Sequence, residues 1–476
     1  MKRPILILQM QRMGDTILAF PLVLWLARHY PGHPIWVVAE RVFYEALMPV
    51  SPAVTYFPWE GAERLKRESF LLCLNLSHRP EAAGLAAQVR AEEKLGPVAG
   101  PGGARYIRGF FQLYRAALTG CNRHNRFHWA ELNALDCVPL ADMRATGWPL
   151  PRTLTREARG IGLFVGASER AKRPEPGFWA ALAGELQRRG YHPALFGGPG
   201  ERELAAEVER LTPGRVLNLA GKLGLAELAA VGQTMQVLIT PDTGPMHLAV
   251  WTGAKVLNLS MGPVNPWETG PYQPGHYVLR ASMSCSGCWE CSRKSEGGQD
   301  LAHPCRGSFA PARVALLASL LAEDRTGDLG RLRLPGQRLL LTARDGAGLY
   351  ALKPLVGTAS GSREAISRLW AAFFGWRAGL WDEERPAADA RALGQSQPVL
   401  TTVLRGALPR FGRELRRSLS GASGTLGDDF WKAVPPLARP LSSWLHLFLQ
   451  NADYGPESRR EALALIEALD SLLVKP

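Results

Sequence analysis

Residues 237–247 read VLITPDTGPMH. Val237–Thr240 is a short apolar run of the buried-strand type, and Met246–Trp251 continues as a short helix. The turn between them is built from Pro241, Asp242, Thr243, Gly244 and Pro245. A strand that turns at once into a helix belongs to an open α/β sheet, where ligands bind beyond the carboxyl ends of the strands. The first N–H groups of a helix have no partner inside it and carry partial positive charge, so such a turn can hold a phosphate. Gly244 lets backbone approach a ligand, Pro245 suits a first helical turn, and His247 lies within reach of a phosphate or a sugar. Asp242 repels phosphate and suits a sugar hydroxyl or a capping bond instead. The competing reading is an ordinary capped turn.

The same βα unit recurs on both sides of this stretch. Downstream, Lys255–Leu259 reads as a strand. Upstream, Ile161–Val165, Pro193–Phe196 and Val216–Leu219 read as strands, with helices at Gly177–Arg189, Glu201–Leu211 and Leu225–Gln233. The N-terminal part alternates likewise: strands at Ile5–Leu8, Ile35–Ala39 and Phe70–Leu76, and a helix from Thr16 to about Tyr30 that Pro21 can kink. Between the two series, residues 139–160 (PLADMRATGWPLPRTLTREARG) read as a linker. The expectation is an α/β chain with two Rossmann-like domains facing a cleft, 1–150 and 151–323. A mostly helical extension, 324–476, follows. It opens with a hairpin around Asp345-Gly346 and is rich in tryptophan (Trp370, Trp376, Trp381, Trp431, Trp444).

Three further strand-end loops carry reactive side chains. Asp15 follows Gly14 just after the first strand and can take a proton from an attacking hydroxyl, or can cap the next helix. The loop 166–173 (GASERAKR) offers the Ser168 hydroxyl and the Lys172 ammonium, a charge suited to a departing diphosphate. The loop 197–201 (GGPGE) ends at Glu201, which can accept from a ribose or base. These last two stretches also read as solvated loops.

The 476 residues carry 56 Lys+Arg against 43 Asp+Glu, a net charge of +13. That balance favours phosphorylated substrates, membrane surfaces or nucleic acid. The apolar run after Met1-Lys2-Arg3-Pro4 is too short for a signal peptide, and no apolar stretch reaches about 20 residues, so a cytoplasmic protein is expected. Cys285, Cys288 and Cys291, followed by His303 and Cys305, have spacing that suits a structural Zn²⁺ or iron–sulfur site; reduced, packed thiols are the alternative. Arg405, Arg410, Arg413, Arg416 and Arg417 punctuate an apolar stretch that reads as a membrane-facing or a solvated helix, although Pro409 and Gly412 oppose helix there. Arg105, Arg108, Arg123, His124 and Arg126 are candidates for anionic contacts.

Assembled, these residues resemble the heptosyltransferases of glycosyltransferase family 9, which act in lipopolysaccharide core assembly. Four segments carry the resemblance: 5–31 (ILILQMQRMGDTILAFPLVLWLARHYP), 165–186 (VGASERAKRPEPGFWAALAGEL), 195–205 (LFGGPGERELA) and 239–272 (ITPDTGPMHLAVWTGAKVLNLSMGPVNPWETGPY). The resemblance spans roughly residues 1–320. It implies a GT-B fold and inverting, metal-independent transfer from ADP-heptose to an anionic glycolipid, with no nucleic acid involved. Peripheral contact with the inner face of the cytoplasmic membrane is a separate expectation. By motif, Asp15 becomes the general base, while Lys172, Glu201, Asp242, Thr243, Gly244 and His247 become donor contacts; Ser168 joins them as a donor-binding candidate through its hydroxyl. The cysteine cluster resembles a variant found in many members. Pro241 stands where members often have Asn. Three alternatives stay open: another nucleotide sugar and surface glycan, a non-catalytic scaffold using the cysteine site and C-terminal helices, and a metal or redox role at Cys285–Cys305.

Overall fold

The computed structural model describes residues 2–119, 121–155, 157–283, 304–357, 361–420 and 426–474. Its strands run in chain order as β1 (Ile5–Leu8), β2 (Ile35–Ala39), β3 (Thr55–Pro58), β4 (Ser69–Asn75), β5 (Arg90–Ala99) and β6 (Arg105–Arg108). They continue as β7 (Gly160–Phe164), β8 (His192–Phe196), β9 (Leu217–Asn218), β10 (Val237–Pro241) and β11 (Val256–Ser260). The last three are β12 (Tyr277–Ala281), β13 (Gln337–Arg344) and β14 (Tyr350–Val356). The fold is mixed α/β, dominated by parallel pairing, with abundant helix toward the C-terminus.

The chain packs as two compact units: Met1–Arg64 with His128–Thr358, and Leu65–Phe127 with Ala359–Pro476. These units cut across the expected 1–150, 151–323 and 324–476 division. One cause lies in the hairpin of β13 and β14. Its alternating apolar residues pair antiparallel with β12 (Leu279↔Leu339), so the hairpin extends a sheet of the first unit.

In the first unit, β1 to β3 are parallel in the order β3-β2-β1. A second sheet of eight strands has the order β14-β13-β12-β11-β10-β7-β8-β9. Its central strands are buried on both faces, which is why β10 and β11 read as unbroken apolar runs. Helices Pro176–Arg188 and Pro311–Ala322 cover it, with Trp179, Leu182, Leu186, Leu317 and Leu321 at or near zero exposure. Each such side chain contributes about 1.5–3 kcal/mol by leaving water. The helix expected from Thr16 to Tyr30 is two helices, Met13–Leu18 and Phe20–His29. Pro21 sits at the start of the second, where a missing N–H costs nothing.

In the second unit, β4 and β5 pair in parallel and β6 closes antiparallel on β5. The free edge of β6 is blocked by Asn451, whose Oδ1 accepts the Ile107 N–H (2.5 Å) and whose Nδ2 donates to the Ile107 carbonyl (2.9 Å). Helix Ser362–Arg377 buries Trp370, Phe373 and Phe374, and Phe374 packs on Tyr114 and Trp444. Two of the anionic-contact candidates are spent on this helix. Arg126 pairs with Glu364 (3.0 Å), and buried His124 meets Ser367 Oγ (3.4 Å). Burial and the neighbouring arginines hold His124 down at about 3, so it stays neutral at pH 7. The Arg405–Leu419 stretch lies in one continuous helix, Pro398–Leu419, which runs through Pro409. Among the described residues, no helix is long and apolar enough to cross a membrane.

Candidate active site

All eight candidate donor and catalytic residues fall in the first unit. Asp15 is the third residue of helix Met13–Leu18 and is half-buried. The residue in the N-cap position is Arg12, so the capping alternative does not describe Asp15. Gln9 Nε2 donates to the Asp15 carbonyl (3.2 Å) and ties the helix start to the end of β1.

The 240–247 turn forms as its sequence reads. Strand β10 ends at Pro241, Thr243 is the extended N-cap residue, and the helix runs Gly244–Trp251. The Thr243 side chain makes no capping bond, so it does not occupy the helix N-terminus that it borders.

Two glycines bring these helix starts together. A Cβ on Gly14 would stand 3.4 Å from Gly244 Cα and 3.5 Å from His247 Cδ2. A Cβ on Gly244 would stand 2.5 Å from Met13 Cε and 3.4 Å from the Gly14 nitrogen. An added methyl at Gly14 would fill the remaining space between the helices, and one at Gly244 would displace the Met13 side-chain end, so a larger side chain at either position would crowd the contact. Behind the contact, Ile17, Phe20, Leu47, Ala229 and Leu248 form one apolar cluster. Phe20 meets Trp251 edge-on at 5.2 Å, and Trp251 Nε1 donates to the Val50 carbonyl (2.8 Å). Gly14, next to Asp15, and Gly244, next to Thr243, are thereby neighbours beside one packed apolar cluster.

Charge gathers around Asp242. Burial raises its carboxyl pKa, and Asp15 adds to that push. The Thr269 hydroxyl, Lys172 and Arg280 pull the other way. Thr269 Oγ1 donates to Asp242 Oδ2 at 2.5 Å. Lys172 is buried and pairs with Glu169 (3.0 Å). It ends the Arg170–Lys172 turn, against which Gly262 packs backbone to backbone at φ +68°. Arg280, on β12, is buried and donates to Ser260 Oγ (3.0 Å).

The remaining loops lie at the ends of β7 and β8. Glu201 Oε2 accepts the Gly198 N–H (2.7 Å). Its Cγ and Cδ lie 2.4 and 2.6 Å from where a Gly166 Cβ would be, so the carboxylate rests on bare backbone. Ser168 is exposed in the same loop. His247 is buried, and burial alone lowers it to about 4, so at pH 7 it is a neutral imidazole. Its Nδ1 has no hydrogen-bond partner among the described residues, nor has Gln273 Oε1. Both residues line a cavity of about 20 Å³, room for one water.

Several contributors went unread in the sequence. Arg280 sits in a strand that local pattern did not mark. Thr269 lay in plain view inside the Thr-Gly-Pro run, with no assigned task. Behind Thr269, His128 Nε2 donates to the Gly270 carbonyl (3.0 Å) and Tyr350 O–H to the Pro266 carbonyl (3.2 Å). Buried Glu131 accepts from Tyr272 O–H (3.2 Å) and the Tyr350 N–H (2.5 Å), beside Arg344 at 3.6 Å. Burial outweighs Arg344 and pushes Glu131 up to about 7. A lone Glu or His in a polar stretch gives no signal of such burial.

Cys285, Cys288, Cys291 and His303 lie outside the described residues. Cys305 is buried, and its Sγ accepts the Gly262 N–H (3.3 Å). Among the described residues, no group of three or more His, Cys, Asp or Glu could hold a metal ion.

Residues 141–297 match the model of glycosyltransferase family 9 (heptosyltransferase). The lipopolysaccharide core heptosyltransferase OpsX of Haemophilus influenzae is 24% identical over 291 residues, 56% of this chain and 81% of that protein. Lipooligosaccharide heptosyltransferase 2 of the same organism is 31% identical over 125 residues, 25% of this chain and 36% of that one. Two solved structures share the fold. A family 9 glycosyl transferase from Veillonella parvula has TM-score 0.53 and 21% identity over 68% of this chain and 98% of its own. The E. coli ADP-heptose lps heptosyltransferase II has TM-score 0.51 and 19% identity over 68% and 99%.

Proposed function

We propose that this family 9 glycosyltransferase moves a heptose from ADP-heptose onto a hydroxyl of a lipopolysaccharide core acceptor, with inversion at the anomeric carbon. The observation that supports the proposal is the Gly14–Gly244 contact: the residue before Asp15 lies against the first residue of helix Gly244–Trp251, whose N-cap residue Thr243 makes no side-chain capping bond. In the reaction, Asp15 takes the acceptor hydroxyl proton as the oxygen attacks the anomeric carbon. The bond to the diphosphate breaks on the opposite face, and the diphosphate leaves with both electrons. Its added negative charge is met by the Lys172 ammonium and the N–H groups at the start of helix Gly244–Trp251. Neutral His247 and the Thr243 hydroxyl supply hydrogen bonds. Asp242, oriented by Thr269, accepts from a hydroxyl of the donor sugar, and Glu201 accepts from the nucleoside. A metal on the cysteine segment has no step to perform in this scheme. The anionic glycolipid acceptor brings the enzyme into peripheral contact with a membrane.

The test is a thermal-shift panel of ADP, UDP, GDP and their sugars, followed by transfer assays of Asp15→Asn. A ligand that binds only the native state raises its melting temperature by mass action. The expected result is a selective response to ADP and ADP-heptose, kept in Asp15→Asn while transfer is lost. A selective response to UDP or GDP sugars overturns the heptose assignment. Undiminished transfer by Asp15→Asn overturns the mechanism.

A further inference from the structure

Helix Pro398–Leu419 of the second unit carries five arginines that do different things. Its buried face is Thr401, Leu404, Leu408, Phe411 and Leu415, which packs inward. Arg416 pairs with Glu467 (3.0 Å), and Arg405 stands beside Asp470, both on helix Pro456–Val474. The other three are arranged differently. Positions 399, 403, 406, 410, 413 and 417 follow one another at steps of three and four residues, which is one stripe along a helix. All six are exposed. They are Val399, Val403, Gly406, Arg410, Arg413 and Arg417. The two valines are 74% and 44% exposed. Arg410, Arg413 and Arg417 have no carboxylate partner among the described residues. The stripe is about 27 Å long at 1.5 Å per residue.

We infer that this stripe is a docking face for an anionic phospholipid bilayer. Three unpaired guanidiniums in a row, one per helical turn, complement a sheet of lipid phosphates. The bare valines at the other end can enter the acyl boundary, as an interfacial helix does. A single-stranded nucleic acid would need aromatic rings to stack its bases, and the stripe has none. The face rests on the glycolipid reading only for the reason the enzyme visits a membrane; its charge and shape stand apart from it. The two solved relatives match almost end to end while covering 68% of this chain, so about a third of it has no counterpart there.

The test is co-flotation of the full-length protein with vesicles of phosphatidylglycerol and phosphatidylethanolamine, or of phosphatidylcholine alone. The protein floats with the anionic vesicles, not the zwitterionic ones, and high salt releases it. Neutralising the triad in Arg410→Gln/Arg413→Gln/Arg417→Gln weakens that binding on the order of a hundredfold. Val399→Ser/Val403→Ser weakens it less and leaves the salt dependence intact. The ADP thermal shift, read on the same preparations, is unchanged in both variants. A protein that ignores anionic vesicles, a triple variant that floats like the parent, or capture by a DNA oligonucleotide in place of vesicles overturns the inference. A missing ADP response faults the donor reading and leaves the docking face standing.

Discussion

Thr269→Val removes one hydrogen-bond donor and almost no volume. In the parent, Thr269 Oγ1 lies 2.5 Å from Asp242 Oδ2, and Thr269 itself is 8% exposed. Water therefore does not readily replace the lost donor. A hydrogen bond to a charged acceptor contributes about 1.5–3 kcal/mol, and leaving such an acceptor buried without its donor costs a similar amount. Burial and Asp15 already raise the Asp242 carboxyl, so losing the Thr269 donor raises it further and removes the bond that orients it. At about 2 kcal/mol the affinity for the donor sugar falls roughly thirtyfold. The assay is calorimetric titration with ADP-heptose, alongside KM and kcat. We expect the donor KM to rise by about that factor while kcat changes less, and the melting temperature to fall by a few degrees. Thr269→Ser keeps the O–H and should recover most of the affinity. If Thr269→Val binds donor like the parent, Asp242 is not positioned through this bond. If Thr269→Ser is as impaired as Thr269→Val, the methyl group matters and the hydroxyl does not.

Three further outcomes are expected. Gly166→Ala places a methyl group 2.4 Å from Glu201 Cγ, so Glu201 must swing off the loop; donor affinity should drop while kcat at saturation is retained, as steady-state kinetics will show. Glu131 titrates at about 7 in the fold against about 4.5 in an unfolded chain, so its contribution of about 3 kcal/mol is whole below pH 4.5 and lost as pH rises through 7. Urea unfolding of the parent and of Glu131→Gln between pH 5 and 8 should diverge in that sense, the variant losing less stability as pH rises; parallel curves would refute it. Arg126→Ala leaves Glu364 without its partner among largely buried groups and should destabilise the second unit by about 3 kcal/mol, read as a lower denaturant midpoint.

Much of the fold was legible locally. The runs Ile5–Leu8 and Ile35–Ala39 coincide with β1 and β2, because a strand buried on both faces has to be apolar throughout. Strands that do not meet that condition escaped. The first half of β5, Arg90–Lys94, is charged and largely exposed, and β3 has no fully buried residue. At the Arg405–Leu419 stretch, packing of Leu404, Leu408, Phe411 and Leu415 overrides the local objection of Pro409 and Gly412.

By itself the sequence determined the βα alternation and the turn from β10 through Thr243 into the next helix, whereas Asp15, read as a loop residue, lies within helix Met13–Leu18. Those are matters of residues within a few positions of one another, where periodicity, glycine and proline act directly. Only the tertiary structure decided that Gly14 lies against Gly244, that Thr269 holds Asp242, that Glu131 is a buried acid, and that β13 extends the sheet at β12. Such contacts join residues tens to hundreds of positions apart. They are selected by the burial free energy of many side chains acting together, which no local window contains.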